Sequence, residues 1–265
     1  VFVSSAQISF FTLIQSQTMP VKITVLNNGP LKIEGVGGEA LKLFRQVGAK
    51  LGEANVLQAI GDVQQFRDER DAALASYNEA LKLFRQVGDR LGEANVLKAI
   101  GDVQQFRKEI DAALASYNEA LKLFRQVGAK LGEANVLKAI GDVQQFRKEI
   151  DAALASYNEA LKLFRQVGDR LGEANVLSSY ARLTLYSGYI SDAENQLQQV
   201  ISIRRAMNDL YDEGADYFNF AVALFNLGHK AKAKIYALKA RDIFMQIKIP
   251  QYVELINRII AACKG

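Results

Sequence analysis

The chain has 265 residues, of which 49% are hydrophobic and 23% are charged, a soluble composition that argues against overall disorder. One Cys, one His and no Trp exclude a disulfide framework and a metal site built from Cys and His, and favour a reducing, cytoplasmic setting. The net charge of +4 and the pI near 9.0 are mildly basic, and Lys and Arg are mostly interleaved with Asp and Glu, so nucleic-acid binding is not indicated.

The first 37 residues differ from the rest and form a separate non-repeat segment. Val1–Thr18 is apolar and uncharged, but it lacks a basic beginning and polar residues interrupt it, which argues against a secretory signal or a membrane span. A targeting role and a remnant upstream of Met19 both stay open. Val21–Val36 alternates like paired strands around Asn27-Asn28-Gly29, which favours a short β-hairpin. Because isolated hairpins are marginal in water, this one packs on the first helix, is mobile, or pairs with a second copy of the chain.

A forty-residue repeat follows this segment. Leu91–Lys130 recurs as Leu131–Arg170 with two changes, and Leu51–Arg90 is a third, slightly more divergent copy. Such near-identity indicates recent duplication, so recurrence among these copies counts as one observation. Independent support comes from the diverged continuation after Leu171, where the register persists although most residues change.

Small side chains persist at fixed places in the diverged repeats. Gly101 aligns with Ala181 and Ala221, Ala113 with Ala193 and Ala233, and Ala120 with Val200 and Ala240. Small residues at fixed places are what close packing of helix pairs requires, because the residues at the contact set the interaxial distance. The repeat therefore predicts stacked helix pairs.

The predicted organisation is a non-repeat segment, a repeat array and a capping helix. Its parts are residues 1–37, a half repeat 38–50, repeats 51–90, 91–130, 131–170, 171–210 and 211–249, and a C-terminal helix 250–265. In that last helix Pro250 suits the first turn, and an apolar face is predicted at Val253, Leu255, Ile256, Ile259 and Ile260.

Each repeat predicts two amphipathic helices. The first spans about Glu93 to Arg107, with Leu97, Ile100, Val103 and Phe106 at three-residue steps on its apolar face. The second carries Ala113, Tyr117, Ala120, Leu121 and Phe124 at helical spacing. Gly101 lies in mid-helix, which costs about 0.5–1 kcal/mol relative to Ala, so we expect it to contact the partner helix closely.

The expected helix ends follow from capping chemistry. Asp111 is predicted to cap the second helix, and Gly128 to take the left-handed conformation that ends it. Asp89 and Asp169 are predicted to cap the following first helices, whereas Ala49 and Ala129 at that register cannot.

The spacing of Gly101, Ala113, Tyr117 and Ala120 resembles the tetratricopeptide repeat. The resemblance covers about residues 39–247 and implies an all-α, right-handed superhelical solenoid of antiparallel helix pairs. That family's usual period is about 34 residues, and the longer period here resembles the variety found in Pins-class G-protein-signalling regulators and in bacterial tandem arrays. This chain departs from the family pattern in having Leu at the family's common Trp position and Gln at its common Tyr position.

The resemblance implies that the first helices line a concave side, so their outward residues are the candidate contacts for a protein or peptide partner. These candidates are Asn55, Gln58, Asp62, Gln65, Asn95, Lys98, Asp102, Gln105, Asn135, Lys138, Asp142, Gln145, Asn175 and Arg182. The alternative is that Lys98 and Asp102, four residues apart, only neutralise each other on a solvated face.

The function that this reading favours is a protein–protein interaction scaffold. The alternative is a self-assembling element that forms homo-oligomers through its N-terminal end, and nucleic-acid binding is a distant third. The basic residues after Lys230 are expected on a solvated face, His229 in a turn, and Cys263 as a small apolar residue. No catalytic, phosphate-binding or dinucleotide motif is present in the sequence, so no enzyme activity, cofactor or membrane partner is expected.

Overall fold

In the computed structural model, residues 36–263 are described, and they form twelve α-helices with no strand among them. The predicted hairpin Val21–Val36 lies outside the described residues, except that Val36 begins the first helix. The helices are α1 (Val36–Gln46), α2 (Lys50–Phe66), α3 (Arg70–Val87), α4 (Arg90–Phe106), α5 (Ile110–Val127), α6 (Lys130–Phe146), α7 (Ile150–Val167), α8 (Arg170–Tyr186), α9 (Ile190–Ala206), α10 (Leu210–Asn226), α11 (Lys230–Gln246) and α12 (Pro250–Ala262).

The helices belong to two compact bodies that divide after Asp89. In the N-terminal body α2 pairs with α3, and α1 packs on α2. In the C-terminal body the pairs are α4/α5, α6/α7, α8/α9 and α10/α11; each packs on the next, and α12 packs on α11. The prediction of an all-α fold built from helix pairs is confirmed: four pairs stack in the C-terminal body, and one pair with α1 packed on it forms the N-terminal body.

A glycine in the middle of the first helix lets its partner approach closely. The ring of Tyr117 on α5 is fully buried against Gly101 on α4, where an added Cβ would lie 2.5 Å from Tyr117 Cε1. Gly61 faces Tyr77 and Gly141 faces Tyr157 in the same way. Burial of a large aromatic side chain is worth about 3–5 kcal/mol, which exceeds the cost of a helical glycine. The predicted packing role of Gly101 is confirmed.

A second glycine serves the junction between successive helix pairs. Phe124 near the end of α5 is buried against Gly132 near the start of α6, where an added Cβ would overlap the ring. Phe164 and Gly172 repeat this contact between α7 and α8. The near-identical repeats are therefore joined by an apolar ring-on-glycine contact.

The turns confirm the predicted left-handed conformation of Gly128, but the prediction that Asp111 caps the second helix is wrong. Gly128 adopts the left-handed conformation after α5, with φ +70°. Between α4 and α5, however, Lys108 takes the left-handed position, and the amide of Glu109 donates to the carbonyl of Gln104. The chain is helical again from Ile110, so Asp111 lies inside the first turn and Glu109 is the residue before the helix, with no side-chain cap.

The side chain of Asp111 has a different partner from the one predicted. It forms an ion pair with Arg147, which follows α6 in the next helix pair. Asp169 does cap α8, since its carboxylate accepts a hydrogen bond from Gly172 N at 3.0 Å. The caps at Ala49 and Ala129 have no side-chain hydrogen bond, as expected.

The apolar face predicted for the first helix wrongly includes Phe106. Helix α4 begins three residues earlier than expected, and Phe106 at its end is 61% exposed. Leu97 and Phe106 are nine residues apart, about 900° around the helix, so they lie on opposite sides. A similar error applies to α12, where Ile256 and Ile260 are buried but Leu255 is exposed.

Candidate partner-binding surface

The first helices of the C-terminal body form a row. The contacts α4–α6, α6–α8, α8–α10 and α10–α12 join them, whereas no second helix of this body has Cα atoms within 8 Å of another second helix. The candidate polar residues of the first helices therefore share one face, which we call the first-helix surface. Its candidate residues in this body are Asn95, Lys98, Asp102, Gln105, Asn135, Lys138, Asp142, Gln145, Asn175 and Arg182. The matching residues of the N-terminal body, all on α2, are Asn55, Gln58, Asp62 and Gln65.

In each near-identical repeat, the candidate aspartate and the glutamine three residues after it accept hydrogen bonds from the buried tyrosine. The hydroxyl of Tyr117 donates toward Asp102 Oδ1 at 2.9 Å and Gln105 Oε1 at 2.8 Å. Equivalent hydrogen bonds join Tyr77 to Asp62 and Gln65, and Tyr157 to Asp142 and Gln145. Since a buried hydroxyl requires a partner, these six candidates contribute to the fold.

The same contact fixes the protonation of the tyrosine. Burial, followed by the charge of Asp102 and the hydrogen bond to it, raises the pKa of Tyr117. Tyr117 therefore stays protonated near neutral pH and acts as a hydrogen-bond donor.

The two lysines pair with the aspartates that follow them. Lys98 Nζ lies 2.6 Å from Asp102 Oδ2, and Lys138 Nζ lies 2.7 Å from Asp142 Oδ2. In the N-terminal body Gln58 occupies the lysine position. The alternative reading, in which Lys98 and Asp102 neutralise each other, therefore matches their geometry.

The asparagines that come first in each set of candidate residues are different. Asn95 and Asn135 are exposed, and their side chains make no hydrogen bond among residues 36–263. Asn55 is likewise exposed on α2. In the diverged repeat Asn175 is partly buried and accepts a hydrogen bond from Arg204 Nη2 at 2.7 Å. The exposed candidates without a side-chain hydrogen bond among the described residues are thus the asparagines of the near-identical repeats.

The charge of the surface changes at α8. Arg182 takes the register of Asp142, and its Nε is buried without a hydrogen-bond partner among the described residues. Burial would raise the pKa of Asp142, but Lys138, the hydrogen bond from Tyr157 and the charge of Arg182 outweigh it, so this pKa is lowered. Ser179 also donates to Asp142 Oδ1 at 3.3 Å, linking α8 to α6.

A buried ionic network that the sequence reasoning missed lies beside Asn175. Arg204 on α9 is 2% exposed, and its Nε donates to Asp216 Oδ2 at 3.0 Å. Its Nη1 lies 3.2 Å from Asp212 Oδ2 and 3.3 Å from Asp209 Oδ2. Asp216 also accepts from Ser178 Oγ at 2.5 Å, so the network joins α8, α9 and α10.

This network could have been predicted by aligning the repeats with one another. Arg204 aligns with Phe164, Asp212 with Gly172, and Asp216 with Val176, which is fully buried. Three charged residues at positions that are apolar or glycine elsewhere predict a buried salt bridge, because isolated buried charges are too costly to be tolerated.

Outside the first-helix surface, the remaining residues noted in the sequence have structural settings. His229 lies in the turn before α11, and Cys263 follows α12 and packs against the core of the last repeats. In the basic stretch Lys232 donates to both carboxylate oxygens of Glu194, at 2.8 and 2.7 Å. Within residues 36–263, no helix is both long enough and apolar enough to cross a membrane.

Solved structures with this arrangement of helices include BtubC (BKLC) from P. vanneervenii, with a TM-score of 0.68 and 18% identity over 80% of this chain and 89% of that one. Aspartyl phosphate phosphatase F from Bacillus subtilis has a TM-score of 0.69 and 14% identity over 83% of this chain and 58% of that one. A Rap protein complexed with competence and sporulation factor has a TM-score of 0.63 and 13% identity over 86% of this chain and 68% of that one. At these identities the likeness shows the fold alone.

Among curated proteins, none matches the chain in sequence. The tetratricopeptide repeat family model matches residues 66–126 and 130–206, just over half of the chain, and it describes a repeat rather than a catalytic domain. The narrower resemblance to Pins-class regulators stays a prediction. The glycine–tyrosine helix pairs and this match lead to the same conclusion: the chain belongs to the tetratricopeptide repeat family.

Proposed function

We propose that the chain is a protein–protein interaction scaffold that binds an extended or helical peptide on its first-helix surface. The observation that carries the proposal is the exposed, unbonded amide of Asn95, which recurs one repeat later at Asn135. A side-chain amide offers both donors and an acceptor, so it suits the backbone of a bound peptide. The Rap protein solved in complex with competence and sporulation factor is a fold relative that holds a partner, which supports this role.

Fixed neighbours add to this argument. Because the hydroxyl of Tyr117 and the amine of Lys98 both bind Asp102, the groups beside the free amides are already ordered before a partner arrives. Less side-chain entropy is then lost on binding. Repeated weak contacts along adjacent helices raise the overall affinity through high effective concentration.

A peptide selected from a random displayed library on the immobilised full chain provides the test. We expect the double variant Asn95→Ala and Asn135→Ala to weaken binding of that peptide by about tenfold, since each amide supplies about one net hydrogen bond. The matched control is Asn118→Ala with Asn158→Ala, the same change at exposed positions on the second helices of the same repeats. Equal affinities of the two double variants, measured by fluorescence anisotropy, would remove the asparagines from the proposal.

Self-assembly through the N-terminal end is the second candidate. It is favoured by Leu43 near the end of α1 and Val47 just after it, which are 56% and 73% exposed. Exposed apolar clusters at the end of a repeat stack promote association. Light scattering on the full chain and on Leu43→Lys with Val47→Lys tests it, and a monomer in both cases rejects it.

A further inference from the structure

The C-terminal body contains a groove of about 660 Å³ between α9, α10 and α11. None of the candidate residues of the first-helix surface lines this groove. Arg205 of α9, Glu213 and Tyr217 of α10, and Lys239 of α11 line it, together with Asp242. The groove is therefore a second polar surface with its own charges.

One side of Arg205 is anchored within the groove. Its Nε lies 2.9 Å, and its Nη2 2.8 Å, from the same carboxylate oxygen of Glu213, which is 3% exposed. The side chain of Arg205 is nevertheless 64% exposed. The guanidinium is thus held in place by a buried carboxylate while its outer edge faces the groove.

The corresponding arginine of an earlier repeat shows what this outer edge can hold. Arg125 donates from Nε to Glu133 at 2.7 Å and from Nη2 to Glu159 at 2.7 Å. Two carboxylates from the next helix pair therefore hold two edges of one guanidinium. Arg45 has the same arrangement in the N-terminal body, with Glu53 at 2.7 Å and Glu79 at 2.5 Å.

The groove lacks this second carboxylate because Lys239 takes the register of Glu159. Lys239 Nζ lies 5.1 Å and 5.4 Å from the ring centroids of Tyr236 and Tyr217, and Nη2 of Arg205 turns back onto Glu213. Asp242, the other acid of the groove, is paired with Arg241 at 3.2 Å. This register holds a glutamate for Arg45 and Arg125 and a glutamine, Gln199, for Arg165, whereas a cation stands there beside Arg205.

From this substitution we infer that the groove binds a carboxylate of an acidic peptide, with Arg205 and Lys239 as its two cationic partners. A ligand carboxylate on the outer edge of the Arg205 guanidinium would act as the second carboxylate, as Glu159 does for Arg125. Charge-assisted hydrogen bonds of this kind are among the stronger polar contacts. The site is separate from the first-helix surface, so its failure would leave the proposed scaffold function standing.

The variant Lys239→Glu tests the inference without breaking the ion pair between Arg205 and the buried Glu213. It places the carboxylate of the earlier repeats in the groove, so it should occupy Arg205 and exclude a ligand while the protein remains folded. Lys239→Gln removes the positive charge without adding a carboxylate. Lys162→Glu, at an exposed position of α7, is the matched control for the change in net charge.

The probe is a fluorescein-labelled tetraglutamate peptide with an amidated C terminus, titrated with the full chain. We expect Lys239→Glu to weaken its binding by about tenfold or more and Lys162→Glu to change it by less than about twofold. Thermal unfolding should show a midpoint for Lys239→Glu no lower than that of the parent chain.

Three results would overturn the inference. They are equal losses in Lys239→Glu and Lys162→Glu, equal binding of a tetraglutamine peptide, and displacement of the probe by inorganic phosphate at lower concentration than by glutarate. The last result would identify the groove as a phosphate site rather than a carboxylate site.

Discussion

Two kinds of junction join the helix pairs of the C-terminal body. Between α7 and α8 the contact is apolar, with the buried ring of Phe164 on Gly172. Between α9 and α10 the same registers hold Arg204 and Asp212, and Asp216 adds a second carboxylate. Both junctions connect successive helix pairs of the same type, so stacking of the pairs does not require an apolar contact at the junction.

The apolar and the polar junction have different requirements. A ring on a glycine needs only shape, because neither partner carries a polar group. The polar junction needs every partner, because a buried charge that loses its counter-ion is left without solvation. We therefore expect the polar junction to lose stability when one charged partner is replaced by an apolar residue, and to regain it when all of them are replaced together.

The largest expected effect is at the centre of the polar junction. Arg204→Ala leaves Asp212 and Asp216 without their cation, and we expect a loss of about 3–5 kcal/mol in the free energy of unfolding. Urea denaturation measures it. Arg258→Ala is the control, since Arg258 forms an exposed pair with Glu254 and should change stability by less than about 1 kcal/mol. Equal losses would mean that the network is not a stabilising unit.

Conversion of the polar junction to the apolar type should restore stability. The triple variant Arg204→Phe, Asp212→Gly and Asp216→Val copies the residues of the earlier junction. Replacement of buried ion pairs by well-packed apolar groups is commonly neutral or stabilising by about 1–4 kcal/mol. A triple variant as unstable as Arg204→Ala in the same urea experiment would show that the two junctions differ in backbone geometry as well as in side chains.

The polar junction should also give stability a dependence on pH. Burial raises the pKa of Asp212 to about 6; Arg204 opposes the shift, and the charges of Asp209 and Asp216 add to it. Its ordinary value is 3.8, so between about pH 4 and pH 6 the folded chain holds a proton that the unfolded chain releases. Ionisation of Asp212 therefore lowers stability as pH rises through this window, and the effect is constant above it.

The measurement is the stability difference between the parent chain and Asp212→Asn at about pH 4 and pH 7. We expect this difference to change by about 1–3 kcal/mol, because the free energy of unfolding of the parent chain falls relative to that of Asp212→Asn as pH rises. Asp151→Asn, an exposed position on α7, serves as the control. A change in the opposite direction would mean that the network stabilises the ionised form of Asp212.

A smaller effect is expected inside the helix pairs, where Tyr117 binds Asp102. Tyr117→Phe keeps the ring on Gly101 and removes the hydroxyl, so we expect a loss of about 1–2 kcal/mol. The comparison variant Tyr117→Ala also empties the space of the ring, so its loss should be as large as that of Arg204→Ala, about 3–5 kcal/mol. Similar losses for both variants, measured by thermal unfolding, would show that packing contributes little at this position.

The smallest effect is expected for the partly exposed pair Lys98 and Asp102. Lys98→Gln copies the residue found at Gln58, and we expect a change of about 0.3–0.5 kcal/mol in the free energy of unfolding. A loss above about 1 kcal/mol, beyond the size of an ordinary surface effect, would place this pair with the buried network instead of with solvated ion pairs.

The fold could be predicted from the sequence because its determinants repeat. Gly101 and Tyr117 recur at a fixed spacing, and small residues mark the same helix contacts in the diverged repeats. The error at Phe106 arose from three-residue steps, which fall short of a helical turn and rotate around the helix. Asp111 was misplaced because a left-handed Lys108 shortened the turn, although lysine has no special preference for that conformation.

The candidate surface was predictable only in outline. Sequence spacing placed Asn95 and Asp102 on the same helix, but it could not show that Asp102 is bound by Tyr117 on the partner helix while Asn95 is free. The network of Arg204 depends on residues from three helices, so it required a comparison of registers between repeats.

The most direct test of the scaffold claim follows the side-chain amide signals of asparagines by NMR during titration with a selected peptide. The account predicts that the signals of Asn95 and Asn135 shift while those of Asn118 and Asn158 stay unchanged. Shifts confined to Asn118 and Asn158, on the second helices, would contradict it.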